Sequence, residues 1–189
     1  MFTCTINEIE LTFETNKTSF SPLGVDKGTL AMLEVANLPQ NLSAHDKLLD
    51  LGCGYGVVGI CAAKISQALT VMSDSSKSCT LLAQKNAALN DVLDHTKIIH
   101  SDGFANITDS EFTMILSNPP YHADFKVPKH FIEKGFNRLK IGGVMYMVTK
   151  RRDWYKNKLT AIFGGVKVYE IGEYYVFRAE KRSARYANK

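Results

Sequence analysis

From residue 47 onward, short apolar runs alternate with longer stretches in which apolar residues recur every three or four positions. KLLDL at 47–51 is too short for a helix and mostly apolar, which marks a buried strand. A glycine turn separates it from a helical segment at 57–65. Residues 69–72, 96–100 and 112–116 read as three further strands. Between the first two of these, 76–89 is a helix with Cys79, Leu82, Ala83 and Leu89 on one side. A helix at 129–139 carries Phe131, Ile132, Phe136 and Leu139 as its apolar face. Gly142 and Gly143 then punctuate the chain before a strand at 144–149. A last helix at 154–163 ends at Gly164-Gly165, the residue type favoured just past a helix end.

Strands that alternate with helices pair in parallel, so the pattern predicts an α/β fold built on a doubly wound sheet. The end of the chain departs from this. The strands at 166–171 and 174–179 are separated by Gly172-Glu173 alone, which allows a hairpin and no crossover. The last strands should therefore be antiparallel. Residues 2–14 read as another hairpin with a turn near Asn7, and KTSFSPLGVDKGT (17–29) as a loop over the mouth of the sheet.

A length of 189 residues suits one domain with a full core. Within it, 1–25 form the N-terminal hairpin and loop, 26–180 the core, and 181–189 a basic tail expected to fray. The chain has no apolar run long enough to span a bilayer, and its first residues lack the basic start and apolar centre of a signal peptide. The expectation is a soluble cytoplasmic protein. Cys4, Cys53, Cys61 and Cys79 form no CxxC pair and have no histidines at zinc spacing, so reduced thiols and no metal site are expected. Charge is divided unevenly. Residues 1–120 hold 7 Lys+Arg against 13 Asp+Glu, a balance of −6, and residues 121–189 hold 16 against 6, a balance of +10. Such a basic second half suits a polyanionic partner.

The chemistry begins at LDLGCGYGVVGI, which sets Gly52, Gly54 and Gly56 between the first core strand and its helix. In open α/β sheets, ligands bind beyond the strand carboxyl ends, where residues without side chains allow close approach. Residues 54–59 satisfy GxGxxG, and Asp74 follows about 20 residues on, as a dinucleotide fingerprint requires. Asp50, however, sits immediately before this turn, where it would repel a pyrophosphate and welcome an ammonium. S-adenosylmethionine carries an ammonium, a carboxylate and a sulfonium and no phosphate, so DxGxGxG fits it better.

With these motifs in this order, residues 26–180 resemble the class I S-adenosylmethionine-dependent methyltransferases. The resemblance implies a Rossmann-like, mostly parallel seven-stranded sheet with an antiparallel C-terminal hairpin and helices on both faces. It implies that Asp50 and the loop of Gly52, Cys53, Gly54 and Gly56 hold the methionine end of the cofactor. Asp74 would accept the ribose hydroxyls, and Asp102, Gly103 and Phe104 would meet the adenine. SNPPYH (117–122) then falls in the crevice where the transferable methyl must lie. An exocyclic amine has its lone pair delocalised into a ring or amide. The Asn118 side-chain oxygen and the Pro119 carbonyl can each accept one of its N–H groups and turn the nitrogen toward the sulfonium. Pro120 stiffens the elbow and Tyr121 offers a flat face for stacking.

NPP(Y/F) after the fourth strand is shared by enzymes that methylate adenine N6, guanine N2 and glutamine side-chain amides. SNPPYH followed by KHFIEKGFNRLKIGGVMYMV is similar to the methyltransferase small domain of ribosomal-RNA guanine-N2 methyltransferases. FSPLGVDKGT, LLAQKNAALN and VYEIGEYYVFRAEK fit the same family. The best-known members carry a second, degenerate domain upstream that is absent from this chain, and Tyr121 replaces their commoner phenylalanine. The resemblance implies guanine N2 of ribosomal RNA as acceptor, with adenine N6, a protein glutamine, or binding without turnover as alternatives. His122, Lys126, Lys129, Lys150, Arg151 and Arg152 are candidate substrate contacts, with RNA or a ribosomal subunit as partner and no membrane or metal.

Overall fold

Asn7 and Glu8 both adopt positive φ (49° and 65°), the backbone that a two-residue hairpin turn demands. They join β1 (Phe2–Ile6) to β2 (Ile9–Phe13) in the expected antiparallel ladder. The computed structural model describes residues 1–17, 21–39, 42–66, 68–120 and 124–187. After the hairpin come α1 (Lys27–Ala36), β3 (Lys47–Leu51), α2 (Val57–Ile65), β4 (Leu69–Asp74) and α3 (Lys77–Leu89). A 3₁₀ turn (Leu93–His95) leads to β5 (Thr96–His100) and β6 (Phe112–Ser117). The chain closes with α4 (Lys126–Arg138), β7 (Leu139–Thr149), α5 (Arg152–Phe163), β8 (Lys167–Ile171) and β9 (Tyr174–Glu180).

Seven of these strands form one sheet in the order β5-β4-β3-β6-β7-β9-β8. All pairs from β5 to β7 are parallel, and β9 lies antiparallel to β7 and to β8, the latter as the two-residue Gly172-Glu173 connection required. The chain winds from β3 outward to β5 and then returns to β6 on the other side of β3. That reversal opens a crevice at the carboxyl ends of β3 and β6.

Strand alternation divides the core into two layers. On one face, Leu48, Met114, Leu116 and Val148 pack with Ala31, Leu33, Ile60 and Ala83 of α1, α2 and α3. On the other, Leu49, Leu51, Ile115 and Met147 pack with Phe131, Phe136, Leu159 and Phe163 of α4 and α5. The N-terminal hairpin joins the first layer. Asn86 on α3 and Asn90 at its C-cap, one turn apart, grip the open edge of β2 and the residue just past it with their side-chain amides. Asn90 accepts from the Thr12 N–H (3.0 Å) and donates to the Thr12 carbonyl (2.8 Å). Asn86 does the same for Glu14 (2.7 and 3.0 Å). The two amides satisfy backbone groups that a neighbouring strand would otherwise pair.

Three sequence expectations change. β7 begins at Leu139 and runs through Gly142-Gly143, which were read as punctuation before it. Gly142 donates to the Lys181 carbonyl (2.8 Å), Lys181 donates to that of Gly143 (2.9 Å), and a Cβ on Gly143 would lie 2.7 Å from the Phe112 carbonyl oxygen. Close backbone approach, and no turn, explains the glycine. Helix α4 starts at Lys126, three residues early, because Pro128 falls in the first turn, where no N–H is needed. On α3, Leu89 is 46% exposed. The buried line is Thr80, Ala83, Asn86 and Ala87, since the helix faces the hairpin as well as the sheet.

Candidate active site

The β3 turn is held by its own hydrogen bonds. Gly52 and Cys53 both donate to the Ser73 carbonyl at the end of β4 (2.8 and 2.9 Å), and Gly56 donates to the Cys53 carbonyl (2.9 Å). Gly54 donates to Asp74 Oδ2 (2.9 Å). Positive φ at Gly52, Gly54 and Gly56 permits this path. The four amides are engaged within the protein, so this turn is not the amide nest that a phosphate needs.

Asp50, at the end of β3, is 3% exposed and accepts the Gly59 N–H (2.8 Å). A Cβ on Gly59 would lie 2.3 Å from the Met72 side chain, so glycine lets α2 approach close enough to donate this bond. Burial pushes the Asp50 carboxyl up to about 7, against the Gly59 hydrogen bond, and the nearby Asp74 charge adds to the rise. A carboxylate in this setting is matched by a cation.

Asp50, Asp74 and Asp102 stand at the ends of β3, β4 and β5 and line one cavity of ≈ 380 Å³. Its walls include Gly52, Cys53, Gly54, Gly103, Asn118, Pro120 and Phe131. Asp74 caps the turn twice, through Gly54 and through Ser76 (Oδ1, 2.8 Å), and each oxygen keeps a lone pair for a ligand hydroxyl. Burial holds the Cys53 thiol well above its ordinary range, so it is a neutral wall and no nucleophile.

Asn118 follows β6. Its Nδ2 donates to Asp26 Oδ2 (2.9 Å) and to Thr29 Oγ1 (3.0 Å), both from the start of α1. An ionised carboxylate can only accept, which fixes which end of the amide faces Asp26. The other end, Oδ1, is buried without a partner, and so is Ser73 Oγ. These are the two such side-chain atoms among the described residues, and both residues line the same cavity. Buried acceptors without donors cluster where a ligand supplies the missing group.

Most of the sequence-predicted cofactor residues meet here. Phe104 does not line this cavity: its ring is buried against α4 near His130 (6.2 Å between centroids) and borders a neighbouring groove. Tyr121 and His122 lie outside the described residues. None of the basic candidates lines this cavity, and Lys126 borders the neighbouring groove. Lys126 pairs with Asp124 (3.6 Å) and Arg152 with Asp153 (3.3 Å), while Lys129 is exposed on α4. Lys150 bridges to Glu173 (2.8 Å). Arg151 lies over the Phe125 ring (4.9 Å), which stacks on Trp154 (4.5 Å), pinning the segment after the elbow to α5. Sequence reading missed Asp26 and Thr29 as parts of the site. Both fell within the stretch 17–29, read as a loop over the mouth of the sheet and no more.

An open α/β sheet with three acidic strand ends around one crevice defines the class of protein. The chain belongs to the methyltransferase small domain family, whose match spans residues 10–178. It is 30% identical over 178 residues to the uncharacterized protein YbxB of Bacillus subtilis, covering 91% of this chain and 87% of that one. It is 33% identical over 167 residues to ribosomal RNA large subunit methyltransferase G of Pseudomonas putida, covering 84% of this chain and 43% of the relative. The Thermus thermophilus 16S rRNA N2 G1207 methyltransferase RsmC, solved with AdoMet and guanosine, superimposes with a TM-score of 0.87 at 30% identity. It covers 96% of this chain and 50% of its own. This chain thus spans about half the length of those two ribosomal RNA methyltransferases.

Proposed function

We propose that the protein is an S-adenosylmethionine-dependent methyltransferase acting on the exocyclic amine of a nucleobase, guanine N2 of ribosomal RNA in the first instance. The observation that carries the reading is the buried, unpartnered Oδ1 of Asn118 beside the acidic crevice. Support for the acceptor comes from the likeness to RsmC, whose structure holds guanosine.

The residues fit the cofactor on chemical grounds. Asp50 takes the ammonium that would hold it ionised, Asp74 the ribose hydroxyls, and Asp102 with the Gly103 backbone the adenine edge. When bound, the cofactor supplies a methyl group already activated by a sulfonium. The protein's task is to orient the nitrogen. Asn118 Oδ1 accepts one N–H of the amine and the Pro119 carbonyl the other, which directs the nitrogen lone pair along the transfer line. Lys126 and Lys129 on α4, with Lys150, Arg151 and Arg152 just after β7, are assigned to phosphates of the RNA.

The test uses labelled S-adenosylmethionine, the purified protein, and RNA and protein fractions from a strain lacking it, with the label mapped by mass spectrometry. Label on guanine N2 of ribosomal RNA is expected. Label on a glutamine side chain, or none in RNA, overturns the reading.

A further inference from the structure

We infer that Asp26, with Thr29, is a positioning residue that sets the polarity of the site by locking the Asn118 amide with its oxygen toward the acceptor pocket. The inference rests on the function proposed above and goes beyond it, because neither residue need touch the reacting atoms.

A primary amide is nearly symmetric in shape and opposite in chemistry at its two ends. Turned one way it presents an acceptor, and turned the other way two N–H donors. A methyl acceptor that arrives as an amine needs the first arrangement. Within the strand end itself nothing enforces it, since Pro119 follows Asn118 and has no N–H to give. The enforcement comes from α1. Asp26 Oδ2 accepts from Asn118 Nδ2 at 2.9 Å and Thr29 Oγ1 accepts from it at 3.0 Å, so both amide protons are engaged. Oδ1 is then left buried without a partner, in a residue that lines the cavity.

The same Asp26 oxygen accepts the Thr29 N–H (3.0 Å) as N-cap of α1, and both residues line the cavity. The carboxylate is therefore fixed by the helix it starts, and α1 is fixed by packing on β7 and β9. The lock rests on rigid elements, which is what keeping an acceptor within a fraction of an ångström requires.

Asp26→Ser separates the lock from the cap. Serine caps helices about as well as aspartate, and its shorter side chain does not span to Asn118. α1 should stay capped and cofactor affinity near wild type, with thermal unfolding lowered only by the unpaired amide N–H, while the single-turnover rate on ribosomal RNA from the deletion strain falls roughly 100-fold, the scale set by misplacing a reacting group. Thr29→Val should lower that rate less, by roughly 10-fold, since one partner of the amide remains. In an Asn118→Ala background, Asp26→Ser should have no further effect. An equal loss in both backgrounds means a merely structural role and overturns the inference.

A second measurement needs no substrate. The Asn118 side-chain amide protons, followed by NMR in the wild-type protein, should exchange slowly, and Asp26→Ser should speed them. Rapid exchange in the wild type overturns the lock. If the wild type methylates no RNA, the proposed function fails, and the amide exchange still decides whether the lock exists.

Discussion

Replacing Asp50 by asparagine separates what the buried carboxylate costs from what it is for. Burial raises its pKa from 3.8 to about 7, so the folded state binds this proton more tightly than the unfolded chain does. The sign follows from linkage. The contribution to stability is fully present below the unfolded value of 3.8 and is lost as pH rises through about 7. A rise of about three units corresponds to roughly 4 kcal/mol, an upper bound for the penalty at pH 8. Asparagine has no such titration, though its buried Nδ2 costs about 1–3 kcal/mol if it finds no acceptor. Without cofactor, the variant should match or exceed wild-type stability at pH 8 by about 1–3 kcal/mol, and lose that advantage at pH 5. Urea midpoints measured from pH 5 to pH 8 give the two profiles. A cationic ligand beside Asp50 restores its ionised form, so cofactor should raise the wild-type midpoint and leave the variant's almost unmoved. Calorimetry in two buffers should also show a proton released on binding near pH 6. Parallel stability profiles for the two proteins between pH 5 and pH 8 would refute the assignment.

Asn118→Ala should keep cofactor affinity near normal and lower the transfer rate by about 100-fold or more, because its contact serves the reacting nitrogen. Lost affinity in calorimetry would remove it from that role. Asp74→Ala should weaken cofactor binding by roughly 10- to 100-fold, through the ribose and through the uncapped Gly54 and Ser76 amides. Unchanged affinity would take Asp74 off the ribose. Gly143→Ala should destabilise the protein by about 1–3 kcal/mol in urea, since its Cβ meets two backbone oxygens, of Phe112 and Lys140, that cannot swing aside. If the basic residues of α4 and of the segment after β7 hold RNA, the logarithm of affinity should fall linearly with the logarithm of salt concentration, and a flat plot would exclude it.

Much of this molecule was legible because its information is local. Periodicity located the seven-stranded sheet and the helices from α2 onward, and the turn residues 172 and 173 dictated the antiparallel pairing of β8 with β9. The position of Asp50 before the glycines argued against a phosphate, and the engaged amides of that turn give the same answer by a different route. What escaped was long-range. Asp26 and Asn118 are 92 residues apart, and no spacing rule links a helix cap to a strand end on the far side of the fold. Asn86 and Asn90 lay within LLAQKNAALN with no role assigned, because their grip on β2 depends on where the hairpin docks. Gly142-Gly143 misled because a glycine pair signals either a turn or a tight backbone approach, and the choice is made by the strand beside it.

The crevice also explains why the same fold can hold two unmatched groups without losing its shape. Asp50 lies opposite Leu116 in the parallel ladder, and Asn118 follows two residues later, so both sit at the edge of the two most enclosed strands. An ionised Asp50 wants a cation and Asn118 Oδ1 wants a donor, and each is relieved by a different ligand. Neither group is free to turn away, because Gly59 holds one and Asp26 the other. The sign of a stability change therefore sorts the residues by role. Removing the buried charge at Asp50 should stabilise the ligand-free protein at pH 8 while disabling it. Removing Asp26 with alanine relieves neither mismatch, strips the cap from α1 at a cost of about 1 kcal/mol, and takes one of two acceptors from the Asn118 amide. A site residue under strain and a residue that maintains the strain are thus told apart by thermal unfolding before any substrate is added.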